Sequence, residues 1–446
     1  MNTWYEESVF YHIYPLGLTG APKFNDAPEV VNRFTELNDW IPHIRNLGCN
    51  ALYIGPLFES GSHGYDTKDY RLVDRRLGDN EAFRHFTVLC HERKIRVVVD
   101  GVFNHTGRSF FAFRDIQEKL WASPYKDWYK GICFEQTSPM GDSCSYEAWQ
   151  GHFELPCLNL ANPAVRQYLF DTIRFWIEEF DIDGIRLDCA NVLDFQFMKE
   201  LRRETAAMKD DFWLMGEVIH GDYSRWLGDD MLHSVTNYEL HKSIYSGFND
   251  HNFFEIAHNV RRLEAIGRSL YTFVDNHDEN RIASKLIRKS DLFPVWLCLM
   301  TLPGIPSIYY GSEWGLEGSR TSTSDEALRP ALSVWDGKTY HCQLTDFIRR
   351  AVQLHIREEA FHSGKYQELY LTNRQYAYSR YCETSTVITA LNNDENSAEF
   401  DIPVPSGFQK AICLTEEMEP VPVINGTLHI RLKGSWGAVL KLKGEK

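Results

Sequence analysis

Four carboxylates stand where short apolar runs end: Asp100 after Ile95-Arg96-Val97-Val98-Val99, Asp188 after Gly184-Ile185-Arg186-Leu187, Glu217 after Trp213-Leu214-Met215-Gly216, and Asp278 closing Phe273-Val274-Asp275-Asn276-His277-Asp278. Four such groups brought to one mouth repel each other, an arrangement that costs stability and calls for a reason. Cleaving a glycosidic bond supplies one, because it needs two carboxyl groups in opposite ionisation states, one to attack and one to donate a proton. Asp188 follows Arg186 by two residues, so on a strand both point the same way, and a guanidinium there favours the anion that a nucleophile must be. Glu217 ends an apolar run, where burial and neighbouring negative charge favour the protonated acid. If the two runs are adjacent strands, the carboxyl groups come to the short spacing of a retaining mechanism, about 5–5.5 Å. Asn104-His105 and Asn276-His277 add neutral donors suited to sugar hydroxyls. The competing reading, that these acids only cap the helices that follow, stays open for Asp100 taken alone.

These residues need a scaffold that gathers strand ends. Short apolar or β-branched runs at 12–18, 51–57, 96–102, 184–189, 212–218, 234–238, 270–276 and 306–311 alternate with amphipathic stretches such as 29–47, 80–94 and 164–179. The last follows Asn162-Pro163, a good cap and first-turn pair. Eight strand–helix units predict an α/β fold, a (β/α)8 TIM barrel, whose chemistry sits at the C-terminal ends of its strands. Between 106 and 160 no βα unit is legible and Gly, Pro, Ser and aromatics crowd together, which predicts an inserted subdomain after strand 3. From about 365 short alternating segments between turn signals predict a C-terminal antiparallel β-sandwich. The expected division is 1–105 and 161–364 for the barrel, 106–160 for the insert and 365–446 for the sandwich.

Composition narrows the partners. A net charge of −15 over 446 residues disfavours nucleic acid and anionic membrane and suits a neutral substrate, while 14% aromatic residues supply faces on which sugars stack. No run reaches the roughly 18 apolar residues that a membrane span requires. The ten cysteines form no CxxC pair or zinc-spaced cluster, and in a chain this long they read as free thiols in a reducing compartment. The expectation is a cytoplasmic protein.

Taken in order, these segments resemble the signatures of the α-amylase family of glycoside hydrolases. Asp100-Gly-Val-Phe-Asn104-His105 is similar to the first, Gly184-Ile-Arg186-Leu-Asp188 to the second, Gly216-Glu217-Val218 to the third, and Phe273-Val-Asp-Asn276-His277-Asp278 to the fourth. His63-Gly64-Tyr65-Asp66-Thr67 resembles the segment whose tyrosine stacks on the sugar at the cleavage point. The resemblance implies Asp188 as nucleophile, Glu217 as general acid/base and Asp278 as transition-state stabiliser, with Tyr65, Asp100, His105, Arg186, His220, His277 and Arg281 binding substrate. Cys189-Ala190-Asn191 and Leu155-Pro-Cys-Leu-Asn159 lie nearest the cyclomaltodextrinase and neopullulanase-like members, and Asp275-Asn-His-Asp278-Glu-Asn-Arg281 nearer ordinary amylases. It implies an α-glucan oligosaccharide as substrate and no required cofactor. Calcium is the one ion it allows, with Asn104 as a metal-ligand candidate beside Asp115, Asp127 and Asp142. Hydrolysis and transfer to a second sugar share this machinery, so both stay open here. Linkage preference, which the walls at 106–160 and 311–330 would set, and oligomeric state stay open too.

Overall fold

The computed structural model describes residues 3–335 and 342–444. Eight parallel strands close a barrel: β1 (Phe10–Ile13), β2 (Ala51–Ile54), β3 (Arg96–Gly101), β4 (Gly184–Leu187), β5 (Trp213–Gly216), β6 (Ser234–Thr236), β7 (Leu270–Thr272) and β8 (Ile305–Tyr309), each bonded to the next and β8 to β1. Almost every residue of these strands is buried, because helices cover the outside and side chains fill the inside. The interior is packed with Phe10, Tyr53, Val98, Trp213, Tyr271 and Ile305, and Trp4 and Tyr5 of the N-terminal segment pack against it. Outer helices such as Asn80–Glu92 and Pro163–Phe180 start on side-chain caps, Asp79 to the Ala82 N–H and Asn162 to the Ala164 N–H.

The strands are shorter than the apolar runs predict. The run 184–189 leaves the ladder after Leu187, and 270–276 after Thr272. Beyond those points the chain opens so that its side chains face the mouth. The run 12–18 is a strand only to Ile13, after which Pro15–Leu18 turns as a short helix with proline at its start. The expected helix 29–47 begins at Phe34 and ends on Gly48, whose φ of 107° stops it.

Two excursions leave the barrel's C-terminal side. A hairpin after β2, Phe58–Ser60 paired with Thr67–Val73, is absent from the sequence-based reading, and Tyr65 lies in its connecting turn. The inserted subdomain after β3 carries the helix Phe111–Lys119 and the ribbon Ala148–Trp149 with His152–Pro156. It is tied to the barrel where the Leu158 N–H donates to the Asn104 carbonyl (2.9 Å) and the Thr106 N–H to that of Pro156 (3.1 Å).

The C-terminal part has eight antiparallel strands: β9 (Lys365–Leu371), β10 (Gln375–Tyr381), β11 (Thr386–Asn392), β12 (Ala398–Pro403), β13 (Phe408–Cys413), β14 (Val421–Ile424), β15 (Thr427–Leu432) and β16 (Trp436–Gly444), in the order β9-β10-β11-β16-β13-β14-β15-β12. The run folds over its own apolar core, which includes Ile388, Phe400, Leu428 and Leu440. Tyr370 and Phe400, from the two outermost strands, stack at 5.0 Å, so the ends of the sheet meet as the layers of a sandwich do. Its other face, through Tyr376, Tyr378, Leu391 and Val439, belongs to the main core of the barrel. No helix among the described residues is long and apolar enough to cross a membrane.

Candidate active site

Strand register places the acids. Asp100 on β3 lies opposite Arg186 on β4, and Arg186 opposite Met215 on β5, so three neighbouring strands end level with one another. Just past the ladder the Asp188 N–H donates to the Gly101 carbonyl (3.1 Å) and the Glu217 N–H to that of Leu187 (2.9 Å). Both catalytic candidates are therefore held by backbone bonds rather than by a loose loop. Gly216 makes this possible, since a Cβ there would sit 2.5 Å from Leu232 Cδ1 and 2.8 Å from Ala190 Cβ.

One guanidinium joins the acids. Arg186 Nη1 donates to Asp100 Oδ1 (2.9 Å) and Asp188 Oδ1 (2.8 Å), and its Nη2 lies 2.8 Å from Glu217 Oε1. One oxygen of Asp188 and one of Glu217 lie within 4.8 Å of each other, the spacing of a retaining pair and too short for an intervening water and sugar carbon in an inverting one. The two side chains are each only 8% exposed. Burial raises the pKa of Glu217, Arg186 opposes the rise, and the charges of Asp188 and Asp278 add to it. Tyr238 Oη donates to Glu217 Oε1 (3.3 Å) and itself accepts from Asn276 Nδ2 (3.1 Å). A hydroxyl can turn to accept when the carboxyl is protonated, which an N–H donor cannot. Asp100 is raised by burial against the pull of Arg186, and it takes hydrogen bonds from Tyr53 (2.8 Å) and Tyr65 (3.4 Å). It works as an anchor behind Arg186.

Asp278 completes the ring on the other side and is the most open of the three, with 35% of its side chain exposed. Burial would raise its pKa, but His277, Arg329 and Arg186 outweigh that and hold it as the anion. His277 Nε2 lies 3.1 Å from Asp278 Oδ2 and 2.5 Å from Tyr65 Oη. Tyr65 and Tyr14 both stack on the His277 ring, at 5.7 and 5.8 Å. His105 is buried, burial lowers its pKa so that it stays neutral, and its Nε2 has no protein partner. Trp149 of the insert lies 5.8 Å from it. A buried, neutral, unpartnered ring nitrogen is what a sugar hydroxyl can satisfy.

One expected substrate contact falls elsewhere. Arg281 is fully buried: its Nη1 donates to the Tyr310 carbonyl (2.5 Å) and Ser312 Oγ (3.0 Å), its Nη2 to the Leu328 carbonyl (3.0 Å), and its plane lies 4.1 Å from the Tyr309 ring. It follows Asp278 by only three residues, but the chain turns into the helix Ile282–Lys285 there and carries it inward. Its work is to hold the loop after β8. His220 is exposed on the loop after β5. The sequence-based reading missed Arg329, whose Nη2 donates to Asp278 Oδ1 (2.9 Å) and whose Nε donates to the His277 carbonyl (3.0 Å). Nothing local marks it, since it reaches the site from a loop of irregular structure. Tyr14, Tyr53 and Cys189 were missed as well; Tyr53 was findable, as an inward residue of β2.

Of the acids named for calcium, Asp115 and Asp142 are already paired with cations. Asn104 Nδ2 is bonded to His105 Nδ1 (3.2 Å). Asp115 is taken by Lys119 and Ser123, and Asp142 by Arg108, Gln117, Ser138 and Tyr146. Asp127 is exposed, and its main-chain oxygen serves Asn159 and Asn162. An oxygen cage needs carboxylates not already neutralised by cations.

The family model for the alpha amylase catalytic domain matches residues 34–374. A cyclomaltodextrinase from Thermoanaerobacter pseudethanolicus is 31% identical over 416 residues, 87% of this chain and 71% of that protein. Neopullulanase 2 from Thermoactinomyces vulgaris is 31% identical over 468 residues, 98% of this chain and 78% of its own length. Among solved structures, a debranching enzyme from Nostoc punctiforme superposes with a TM-score of 0.84 at 28% identity, over 100% of both chains. With a barrel of this topology, two acids at retaining distance and a family match across most of its length, the chain belongs to the alpha-amylase family of retaining glycoside hydrolases.

Proposed function

We propose that the enzyme hydrolyses α-glucosidic bonds of maltodextrins, cyclodextrins or related α-glucan oligosaccharides, with Asp188 as nucleophile and Glu217 as acid and then base. The observation that carries this is the pair of buried carboxyls within 4.8 Å on adjacent strands, sharing one guanidinium. Glu217 gives its proton to the glycosidic oxygen as Asp188 attacks C1, forming a glycosyl ester and releasing the leaving sugar. Water, deprotonated by Glu217, then attacks C1 and frees Asp188, so the product keeps the α configuration. Asp278, held ionised by His277 and Arg329, stabilises the cationic ring between the two steps. Tyr65 offers an aromatic face to that ring, and His105 and His277 bind its hydroxyls.

The substrate class is supported by the net charge of −15, which disfavours anionic ligands, and by the names of the relatives, a cyclomaltodextrinase and a neopullulanase. Ten cysteines without a disulfide fit a reducing, cytoplasmic setting. The test is to incubate the enzyme with maltotetraose, pullulan, β-cyclodextrin and isomaltose, separate the products by chromatography, and read the first-formed anomer by proton NMR. Cleavage of at least one α-1,4 substrate with α product is expected. A β product, or no cleavage of any of the four, would refute the reading.

A further inference from the structure

Each of the two facing carboxyls has one oxygen turned to Arg186 and one turned away. Asp188 Oδ1 and Glu217 Oε1 pair with the guanidinium. Asp188 Oδ2 instead lies 3.2 Å from Cys189 Sγ, and Glu217 Oε2 accepts the Cys189 N–H at 3.0 Å. Cys189 takes a left-handed conformation, φ 50° and ψ 38°, which folds it back between the two acids. A thiol sulfur and one oxygen from each acid thus converge within 4.8 Å, all three side chains buried. A further buried donor without a protein partner is the Nε2 of His105, whose ring feels the charge of Asp188.

We propose that Asp188, Cys189 and Glu217 form a binding site for a thiophilic divalent cation such as zinc or cadmium, and that the bound ion switches the enzyme off. Donor chemistry and distance both suit it. Zinc takes mixed sulfur and oxygen ligands that lie roughly 3.5 Å apart around the ion. The sulfur and Asp188 are already at that spacing, and Glu217 needs to close by about an ångström. Charge balances as well. The ion takes the place of the thiol proton and the Glu217 proton, both released to solvent, so the net charge of the buried cluster does not change. Sulfur and the two carboxylates donate lone pairs, Arg186 keeps the outer oxygens, and no oxidant or reductant enters. With its ligand oxygens engaged, Asp188 cannot attack C1 and Glu217 cannot donate a proton. The inhibition rests on the roles proposed for these two acids, whereas the binding does not.

Two measurements on the purified enzyme separate these parts. In the first, cadmium chloride is titrated without substrate, and the thiolate-to-cadmium charge-transfer absorption is followed in wild type, Cys189→Ala and Cys189→Ser. In the second, zinc chloride is titrated against maltotriose turnover, each protein being compared with its own metal-free rate. The expected result is a band in wild type saturating at one equivalent and lost in both variants, with a zinc inhibition constant at least about tenfold higher in Cys189→Ala and reversal by EDTA in wild type. An undiminished band in both variants, which would come from other thiols, or equal zinc sensitivity in all three proteins overturns the site. A band that depends on Cys189 with no effect of zinc on turnover overturns the inhibition, and with it the placing of the two acids at the reacting bond.

Discussion

In the proposed mechanism Glu217 carries a proton although a guanidinium nitrogen stands 2.8 Å from one of its oxygens. Burial and the charges of Asp188 and Asp278 push its pKa up against that single cation, which is itself divided among three carboxylates. Turnover of maltotriose is expected to fall by at least about a thousandfold in Asp188→Asn and in Glu217→Gln, with circular dichroism unchanged. In wild type, kcat/KM should decline as pH rises through the elevated Glu217 pKa, because the acid form is lost. Stability moves the same way. A carboxyl raised in the folded state stabilises fully below its unfolded pKa, roughly 4.3, and loses that contribution as pH climbs through the folded value. Glu217→Gln, which cannot ionise, should therefore match wild type in acid and exceed it above that range in denaturant melts. At this scale the meeting of Asp188, Glu217, Asp278 and Arg186 was legible, since residue type at strand ends places all four at one mouth. Arg281 was misplaced because closeness in sequence to Asp278 says nothing of a chain that turns inward three residues later.

Strands and loops decide whether such residues meet. The end of β5 reaches its place only because Gly216 leaves room for Ala190 and Leu232. Gly216→Ala should cost about 1–3 kcal/mol in stability by overpacking. It should lower kcat by about a hundredfold, since Glu217 moves with the strand end, while KM changes little. The loop after β8 depends on Arg281. Arg281→Met leaves the Tyr310 and Leu328 carbonyls and Ser312 without their donor, so it should destabilise by about 3 kcal/mol. A substrate contact would instead raise KM with the melting temperature unchanged, so measuring both tells the two roles apart. Alternation of apolar runs and amphipathic stretches revealed the eight strands. It overran their ends because residues such as Cys189 and Phe273 stay buried after leaving the ladder, lining the mouth instead of the barrel wall. The hairpin around Tyr65 was invisible because its strand Thr67–Val73 mixes charged and apolar residues without clean alternation.

At the scale of the molecule, barrel and C-terminal sheet share a core. Arg380 of β10 is fully buried and donates to the Thr301, Phe361 and Gly364 carbonyls, so a cation from the sheet ends the apolar helix Leu292–Thr301 of the barrel. Tyr378 Oη meets Thr301 Oγ1 at 2.6 Å beside it, and Trp436 packs against Phe293 and Phe347. Separating these parts would leave that helix end and its carbonyls unpaired. Calorimetry should accordingly show one cooperative transition for the whole chain, and a chain cut after residue 364 should fail to fold into soluble protein. Two resolved transitions would contradict the shared core. The sandwich was legible from alternation alone, but its fusion to the barrel was not, because Tyr376 and Tyr378 read as ordinary inward-facing strand residues.

In the proposed mechanism Arg186, shared between attacker and proton donor, ties the two halves of the reaction together. Once Asp188 is esterified it carries no charge, so the guanidinium has one rival fewer and Glu217 one repelling neighbour fewer. The balance that had favoured the protonated form tilts towards the anion just when a base is wanted to take a proton from water. Hydrolysis of the ester restores the charge and tilts it back. The enzyme can thus alternate Glu217 between opposite duties through a change of electrostatic partner, with no movement of its backbone.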